Sequence, residues 1–550
     1  MPQTEPIIAV DDGNTVPHAL VAQAGRVVDK TLIAFEPSGA RIGYAELARA
    51  AEAGSTRLAD GHGFAPGTMA ALYLPNQLEF VVAWFTCLFA GCVDVPINPE
   101  YRKATLEHAL AVADARVVFT DREGLRNLAD PEVAPSRAAL ALVVLCDGDG
   151  PPDEAIVRAL GSRVATTSLR ALTAPGRHNG AWRALSAGAL ASVRFTSGTT
   201  GKAKGIMHSH LHMLGKAMRI NRVVEAVETD VLYSPFPLHH NLSSINGLLG
   251  MLQLGATMVS ASRFSASRYW PAIRECGATL GHILGPMMPM LLAQPPSPDD
   301  RRHSVRYLWT AQGSRAFVER FGAQPVQSYA LSEVGVIAYR RDGGEEGSRA
   351  NGVPLPEFEV RIVDELDREL TPGTPGQIAI RPRDPHRMLL GYLGDLPATV
   401  RAFRNLWYHT GDAGFLATDG QLHFTGRLGD TVRRRGVNIS CEQVEADVLA
   451  HPAVAACAVV GVPSSLGGGD EELHALVVLH EHSSAGAAPL ADIVRLLQER
   501  LPREYIPRYF ELTGDLPRTT TGKVSRSELR ACVGRGRVWD REASGDSAVA

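Results

Sequence analysis

From Thr196 to Gly205 the chain reads TSGTTGKAKG, with glycines at 198, 201 and 205, hydroxyls at 196, 197, 199 and 200, and lysines at 202 and 204. Glycine lets the backbone bend and present successive N–H groups, hydroxyls add donors, and lysine adds charge. The stretch has the make-up of a concavity that holds an anion such as phosphate. It is not the nucleotide loop Gly-x4-Gly-Lys-Ser/Thr. Ala203 follows Gly201-Lys202 where a hydroxyl is needed, and Thr196 stands where the first glycine belongs. A β-like run over 191–195 precedes the stretch, and a helix is expected after Ser209, its positive end adding to the site. A flexible linker is the plain alternative. A strand before and an amphipathic helix after speak against it.

A loop of this kind needs a rigid frame. From Thr31 strand-like and helix-like segments alternate: strands over 69–75, 93–99, 116–121 and 139–148, helices over 77–92 and 104–115. A lead-in helix is expected over 16–24. The alternation resumes after the Gly/Thr stretch and continues to about residue 330. It predicts α/β architecture with largely parallel sheets. From Phe358 the texture changes to apolar–polar alternation broken by Gly/Pro turns, which predicts antiparallel strands and a small β-barrel-like part. Downstream, helices over 443–454 and 490–502 and strands over 455–463 and 474–481 make a small α+β unit. The organisation expected is a multi-subdomain N-terminal domain over 1–428, a small mobile α+β domain over 429–532 and a mobile polar tail over 533–550.

The 550 residues correspond to roughly three or four domain-sized units. A net charge of -4 and the lack of a basic stripe exclude a nucleic-acid protein. The seven cysteines are scattered and form no Cys-x-x-Cys pair, so neither zinc nor a disulfide framework is indicated, which fits a reducing cytoplasm. No charged-then-apolar leader opens the chain. The apolar run 80–93 is shorter than the roughly twenty residues a membrane helix needs and reads as a buried helix. His208, His210 and His212 suggest metal, but only 208 and 212 could share a helix face and no carboxylate or cysteine accompanies them.

Further stretches in the same order give the loop a context. They are SYALSEVG (328–335), WYHTGDAG (407–414), GRLGDTVRRRGVNISCEQVE (426–445) and LPRTTTGKVSRSEL (516–529). Together with the Gly/Thr stretch they resemble the adenylate-forming superfamily of acyl-CoA synthetases, peptide-synthetase adenylation domains and firefly luciferase, over about 31–529. Within it, QPPSPDDRRH (294–303), RRRGVNISCEQVE and the late WDRE look similar to carnitine/crotonobetaine-CoA ligase-like acyl-CoA synthetases.

The resemblance implies roles for single residues. Thr196, Ser197, Gly198, Thr199, Thr200, Gly201 and Lys204 would grip the β- and γ-phosphates of ATP. Glu333 would hold Mg2+, Ser332 would contact the α-phosphate, Tyr329 would lie against the adenine, and Ser328 would be among the ATP/AMP-binding residues. Asp412 would accept from both ribose hydroxyls, and Arg427 would contact ribose or phosphate. Lys523 would be the catalytic lysine. His240, in PFPLHHNLSSINGL (235–248), would close over the acyl pocket. Arg435 and Gly436 would lie near bound CoA, and Gly429 with Asp430 would form the hinge. Three positions depart from the pattern: Ala203 for proline, Ala330 for glycine, and Gly429 for the usual Asp or Lys pivot. The activity implied is ATP- and Mg2+-dependent formation of an acyl-adenylate, then transfer of the acyl group to CoA. Transfer to an amine or a carrier-protein thiol is the alternative, and a nucleotide binder without catalysis is the further one. The partners expected are a small carboxylic acid and CoA, with no nucleic acid and no integral membrane segment, in a cytoplasmic protein for which a homodimer is an allowed assembly.

Overall fold

The computed structural model describes residues 14–543 except 149–153, 162, 196–203, 285–286, 311–312, 342–349, 429–430, 435–436, 465–470, 481–486, 502 and 519–523. The described chain divides into two compact units. One takes in residues up to 195, 204–358 and 382–400; the other takes in 359–381 and the residues from 401 on.

The first unit contains two parallel-rich sheets. In the nine-stranded sheet, Gln324–Leu331, Tyr307–Thr310, Leu280–His282, Val231–Ser234, Thr257–Ala261 and Thr31–Glu36 are neighbours in that order and parallel. Antiparallel edges flank them: Gly335–Arg340 then Val353–Pro354 at one end, Arg41–Gly43 at the other. The eight-stranded sheet runs Gly391–Tyr392, Gly205–Ser209, Leu190–Phe195, Val93–Pro96, Met69–Tyr73, Val117–Thr120, Leu142–Leu145, Ala165–Ser168. Its inner strands carry short β-branched and leucine runs that are buried along their length, as parallel strands covered on both faces are. The apolar run at 80–93 forms the helix Leu78–Phe89, buried from Phe80 to Phe89, in line with the sequence expectation. The helix His210–Val223 starts at Ser209, whose hydroxyl accepts the His212 N–H. Twelve of its fourteen residues are buried, Lys216 and Arg219 among them.

In the second unit Gly376–Pro382 pairs antiparallel with Tyr408–Leu416, which pairs antiparallel with Leu422–Arg427; Phe358–Val363 completes this four-stranded sheet. This is the part expected to be barrel-like. The hairpin Thr431–Arg434/Val437–Ser440 shares a core, through Val432 and Ile439, with the sheet Val454–Pro463, Glu471–Leu479, Tyr509–Leu512, Val538–Asp540 and the helices Cys441–Leu449 and Ala487–Arg500. The architecture is therefore α/β, with a smaller α+β part toward the C-terminus.

The strand Val538–Asp540 lies where the sequence suggests a mobile tail over 533–550. It pairs antiparallel with Tyr509–Leu512. Buried Glu511 accepts from the N–H groups of Gly534 and Gly536, and Asp540 pairs with Arg508 at 3.1 Å. The polar residues of this segment answer partners on the neighbouring strand, which composition alone does not reveal. Among the described residues no helix is long and apolar enough to cross a membrane.

Candidate active site

The strands Gln324–Leu331 and Gly335–Arg340 form a hairpin with Leu331 opposite Gly335, and Ser332, Glu333 and Val334 make its turn. The Val334 N–H closes the turn on the Leu331 carbonyl at 3.2 Å. Three successive carbonyls of the turn then accept from outside the hairpin. Ser332 O takes the Lys216 ammonium at 2.8 Å, Glu333 O takes the Leu389 N–H at 2.9 Å, and Val334 O takes the Arg219 guanidinium at 2.6 Å. Gly335 has φ +95°, and a Cβ there would lie 2.9 Å from Lys216 Cγ and 3.0 Å from Arg219 Nη2. Only glycine meets both conditions without strain.

The Glu333 carboxylate accepts from the Tyr392 hydroxyl at 3.2 Å. Tyr392 is set in place by the short strand Gly391–Tyr392, which pairs antiparallel with Gly205–Ser209 and puts Tyr392 opposite Ile206. Its N–H donates to the Thr399 hydroxyl at 2.9 Å. The Lys204 ammonium stands 5.1 Å from the centre of the Tyr392 ring, a cation–π distance. Lys204, at the exit of the Gly/Thr stretch, and Glu333 thus share one tyrosine.

The Gly/Thr stretch bridges two antiparallel strands, Leu190–Phe195 and Gly205–Ser209, with Phe195 opposite Gly205. A Cβ at Gly205 would come 2.8 Å from Val193 Cγ1. This arrangement corrects the helix-dipole expectation. Ser209 pairs with Leu190, at the end of the hairpin away from Phe195 and Gly205. The helix therefore begins one five-residue strand, roughly 16 Å, beyond the loop. A helix terminus acts within its first turn, and this one lies a strand's length from Phe195 and Gly205, where the Gly/Thr stretch leaves and rejoins the hairpin.

Beneath the loop's entry strand Arg194 and Asp94 form a buried ion pair at 2.9 Å, their side chains 2% and 0% exposed. Ser192 donates to the same Asp94 oxygen at 3.0 Å, and Arg194 lies 5.4 Å from the Trp84 ring centre. Burial raises the Asp94 carboxyl above its ordinary range and lowers Arg194, each opposed by the partner's charge.

The cations of the helix His210–Val223 are equally enclosed. Burial pushes Lys216 down to about 7, with the Arg219 charge acting in the same direction and Glu333 opposing it. Burial pushes Arg219 down to about 9, with Glu357 opposing. His208 and His212 face each other, Nδ1 to Nδ1, at 2.9 Å, and burial holds both far below the usual imidazole range. Burial holds His210 at about 3. Among the described residues no group of histidine, cysteine and carboxylate side chains has a metal-binding arrangement.

Ser328 and Tyr329 are buried on the strand that leads to the turn, and the Ser328 hydroxyl accepts from the Trp309 indole at 2.7 Å. His240 is exposed. Its Nδ1 accepts from the Leu242 N–H at 3.3 Å, and its carbonyl accepts from the Ser243 and Ser244 N–H groups. These bonds place it at the start of the helix Leu242–Leu249.

In the second unit, register places Asp412 opposite Arg427, and the two pair at 2.8 Å. Asp412 is buried, while the Arg427 side chain is 47% exposed. The Thr410 hydroxyl accepts from the Asp412 N–H at 3.0 Å and donates to Ile378 O at 2.7 Å, tying Asp412 to the adjacent strand. In the arginine run, Arg434 is buried. It pairs with Glu472 at 2.6 Å and donates to the carbonyls of Glu504 and Ile506, a structural cross-tie.

The structure thus brings Lys204, Ser332 and Glu333 together in the first unit and Asp412 with Arg427 in the second. Thr196, Ser197, Gly198, Thr199, Thr200, Gly201, Gly429, Asp430, Arg435, Gly436 and Lys523 lie outside the described residues. Tyr392, Lys216 and Arg219 escaped the sequence reading. The signal for Tyr392 was the glycine–tyrosine pair in MLLGYLGD (388–395). Lys216 and Arg219 stand at i, i+3, a spacing that marks one helix face but not its burial.

Residues 20–393 match the family described as AMP-binding enzyme, and residues 443–523 match the AMP-binding enzyme C-terminal domain. A crotonobetaine/carnitine–CoA ligase of Salmonella arizonae is 27% identical over 518 residues, 92% of this chain and 97% of its own. An oxalate–CoA ligase of Arabidopsis thaliana is 28% identical over 495 residues, 88% of this chain and 92% of its own. Among solved structures, the anthranilate CoA ligase AuaEII in complex with anthranoyl-AMP has a similar fold, with TM-score 0.80 and 22% identity over 96% of this chain and 99% of that one.

Proposed function

Since the chain belongs to the AMP-binding enzyme family, we propose that it is an AMP-forming acid–thiol ligase. It activates a carboxylic acid with ATP and passes the acyl group to CoA. The observation that carries this reading furthest is the turn that presents Glu333 with its backbone held on three successive carbonyls. A carboxylate fixed by its neighbours, one oxygen accepting from Tyr392 and others of its lone pairs left for a ligand, suits a hard cation such as Mg2+. Magnesium, when bound, neutralises charge on the triphosphate and orients it.

The acid arrives already ionised at neutral pH. Its oxygen attacks the α-phosphorus, the bond from that phosphorus to the bridging oxygen breaks, and pyrophosphate leaves. Thr196, Ser197, Gly198, Thr199, Thr200, Gly201 and Lys204 hold the β- and γ-phosphates. The Ser332 hydroxyl and the Lys523 ammonium donate toward the charge that develops at the α-phosphate. Tyr329 receives the adenine, with Ser328 beside it among the nucleotide-binding residues. Asp412 accepts from the ribose hydroxyls, with Arg427 beside it for ribose or phosphate. In the second step the CoA sulfur, its proton lost to solvent, attacks the acyl carbon and AMP departs. His240 closes the acyl site, Arg435 and Gly436 lie along CoA, and Gly429 with Asp430 supplies the rotation between steps. Glycine at that pivot accepts large backbone changes. The same reading makes the protein cytoplasmic, and a homodimer accords with it.

The test is pyrophosphate release with MgATP across a panel of acids, run with CoA, with a small amine mixture, and with neither. The panel includes crotonobetaine, carnitine, oxalate and anthranilate, the acids in the relatives' names. Turnover that needs CoA and yields a thioester supports the reading. Turnover with amine alone makes the chain an amide synthetase, and silence with ATP still bound supports a nucleotide binder without catalysis.

A further inference from the structure

Lys216 is 1% exposed, and its ammonium donates to the Ser332 carbonyl at 2.8 Å. Its aliphatic stem lies under Gly335, where even one added methyl carbon would stand 2.9 Å from Lys216 Cγ. The side chain therefore spans the mouth of the hairpin, stem against one end of the turn and head against the other. The charged groups around it are Arg219 on its own helix, Arg194 on the loop's entry strand and Glu333 on the turn itself; His208, from the strand after the loop, feels its charge. A position that needed only to fill the core would take leucine or methionine and avoid the cost of burying an ammonium group. Lysine here does what they cannot: it donates to the carbonyl that precedes Glu333.

From this geometry we propose that Lys216 is a positioning residue for Glu333, holding the Ser332–Val334 turn so that the carboxylate meets the metal–triphosphate in one orientation. The inference rests on the ligase reading above. Groups that orient a metal-binding side chain without touching the metal change affinity or activity by about ten- to a hundredfold when removed.

The experiment compares wild type, Lys216→Met and Lys216→Arg. The readouts are thermal midpoint, calorimetric ATP binding across a Mg2+ titration, and KM and kcat for pyrophosphate release. Met has similar length and no donor, so K216M should keep the wild-type midpoint or exceed it. Its half-saturating Mg2+ for ATP binding and its KM for MgATP should rise about tenfold, with the KM for the acid unchanged. K216R should recover part of the loss. A K216M variant with wild-type Mg2+ dependence overturns the inference. So does one in which midpoint, acid KM and MgATP KM worsen together, since that is a general structural defect. Should K216M fail to fold, Lys216→Gln goes through the same titration and is read by the same criteria. A wild type that binds ATP without regard to Mg2+ overturns the ligase reading and this inference together. A Mg2+-dependent wild type beside an unchanged variant overturns this inference alone.

Discussion

The Asp94–Arg194 pair offers a quantitative test of how the hairpin of Leu190–Phe195 and Gly205–Ser209 is held. Both side chains are enclosed, at 0% and 2% exposure, and Asp94 also accepts from Ser192. Removing either partner leaves the other charge buried and uncompensated. That costs about 3–5 kcal/mol, whereas replacing both with apolar residues of similar volume is often neutral or better. Asp94→Leu and Arg194→Met should therefore each destabilise the first unit by about 3–5 kcal/mol, and the double variant by far less than the sum, a coupling of at least about 3 kcal/mol. A chain of 550 residues is too large for two-state bookkeeping, so the readout is local. Amides of Leu190–Phe195 and Val93–Pro96 are followed by hydrogen exchange. At about 1.4 kcal/mol per tenfold, each single variant loses about a hundred- to a thousandfold of protection or more, and the double variant regains most of it. Additive losses would refute the reasoning, for they would mean that each side chain acts through packing rather than through the other's charge.

The geometry leads to three further expected outcomes. Gly335→Ala forces a side chain into φ +95° and against Lys216 and Arg219. It should cost about 1–3 kcal/mol and weaken MgATP binding, checked by thermal midpoint and calorimetry. Asp412→Ala removes a buried acceptor and the partner of Arg427. Loss of charge-assisted hydrogen bonds of about 1.5–3 kcal/mol should raise the KM for ATP roughly ten- to a hundredfold, and an unchanged KM denies Asp412 its nucleotide role. Burial holds His210 and His282 at about 3, so below the ordinary imidazole value only the unfolded chain takes up their protons. Their stabilisation is complete above about pH 6.5 and is lost as pH falls toward 3, about 2 kcal/mol for each at pH 5. A midpoint that does not fall between pH 7.5 and pH 5, or a His210→Asn variant with the same pH slope, contradicts this.

How far the sequence could be read depended on the range of the interaction that decides each element. Inner strands such as Val117–Thr120 and Leu142–Leu145 are short apolar runs between turn residues, and the helix Leu78–Phe89 is apolar on every face; both patterns are local. The composition of the stretch from 196 to 205 suggests an anion site, but composition does not give its framing. The next element is a strand, Gly205–Ser209, whose antiparallel pairing with Leu190–Phe195 is fixed across the loop. The segment around Val538–Asp540 misled for the same reason, because its order comes from Glu511 on another strand and from Arg508 just before that strand. Asp412 and Arg427 were separately identifiable as types, while the register that sets them opposite each other is a property of the sheet.

Lys216 and Arg219 mark where local reading stops. On sequence they are two cations on a helix, whose common place is a solvated face. In the fold they sit at 1% exposure under the turn that carries Glu333 and donate to the carbonyls on either side of it. The cost of that burial falls on the first unit's stability, and the benefit falls on the geometry of one carboxylate. A sequence optimised for stability alone would put apolar residues at 216 and 219. On the proposal above, the buried cations there hold the shape of the turn against a highly charged ligand. If so, K216M should keep or gain stability as it loses Mg2+ affinity, and a variant in which midpoint, acid KM and MgATP KM worsen together would show the lysine to be core structure and nothing more.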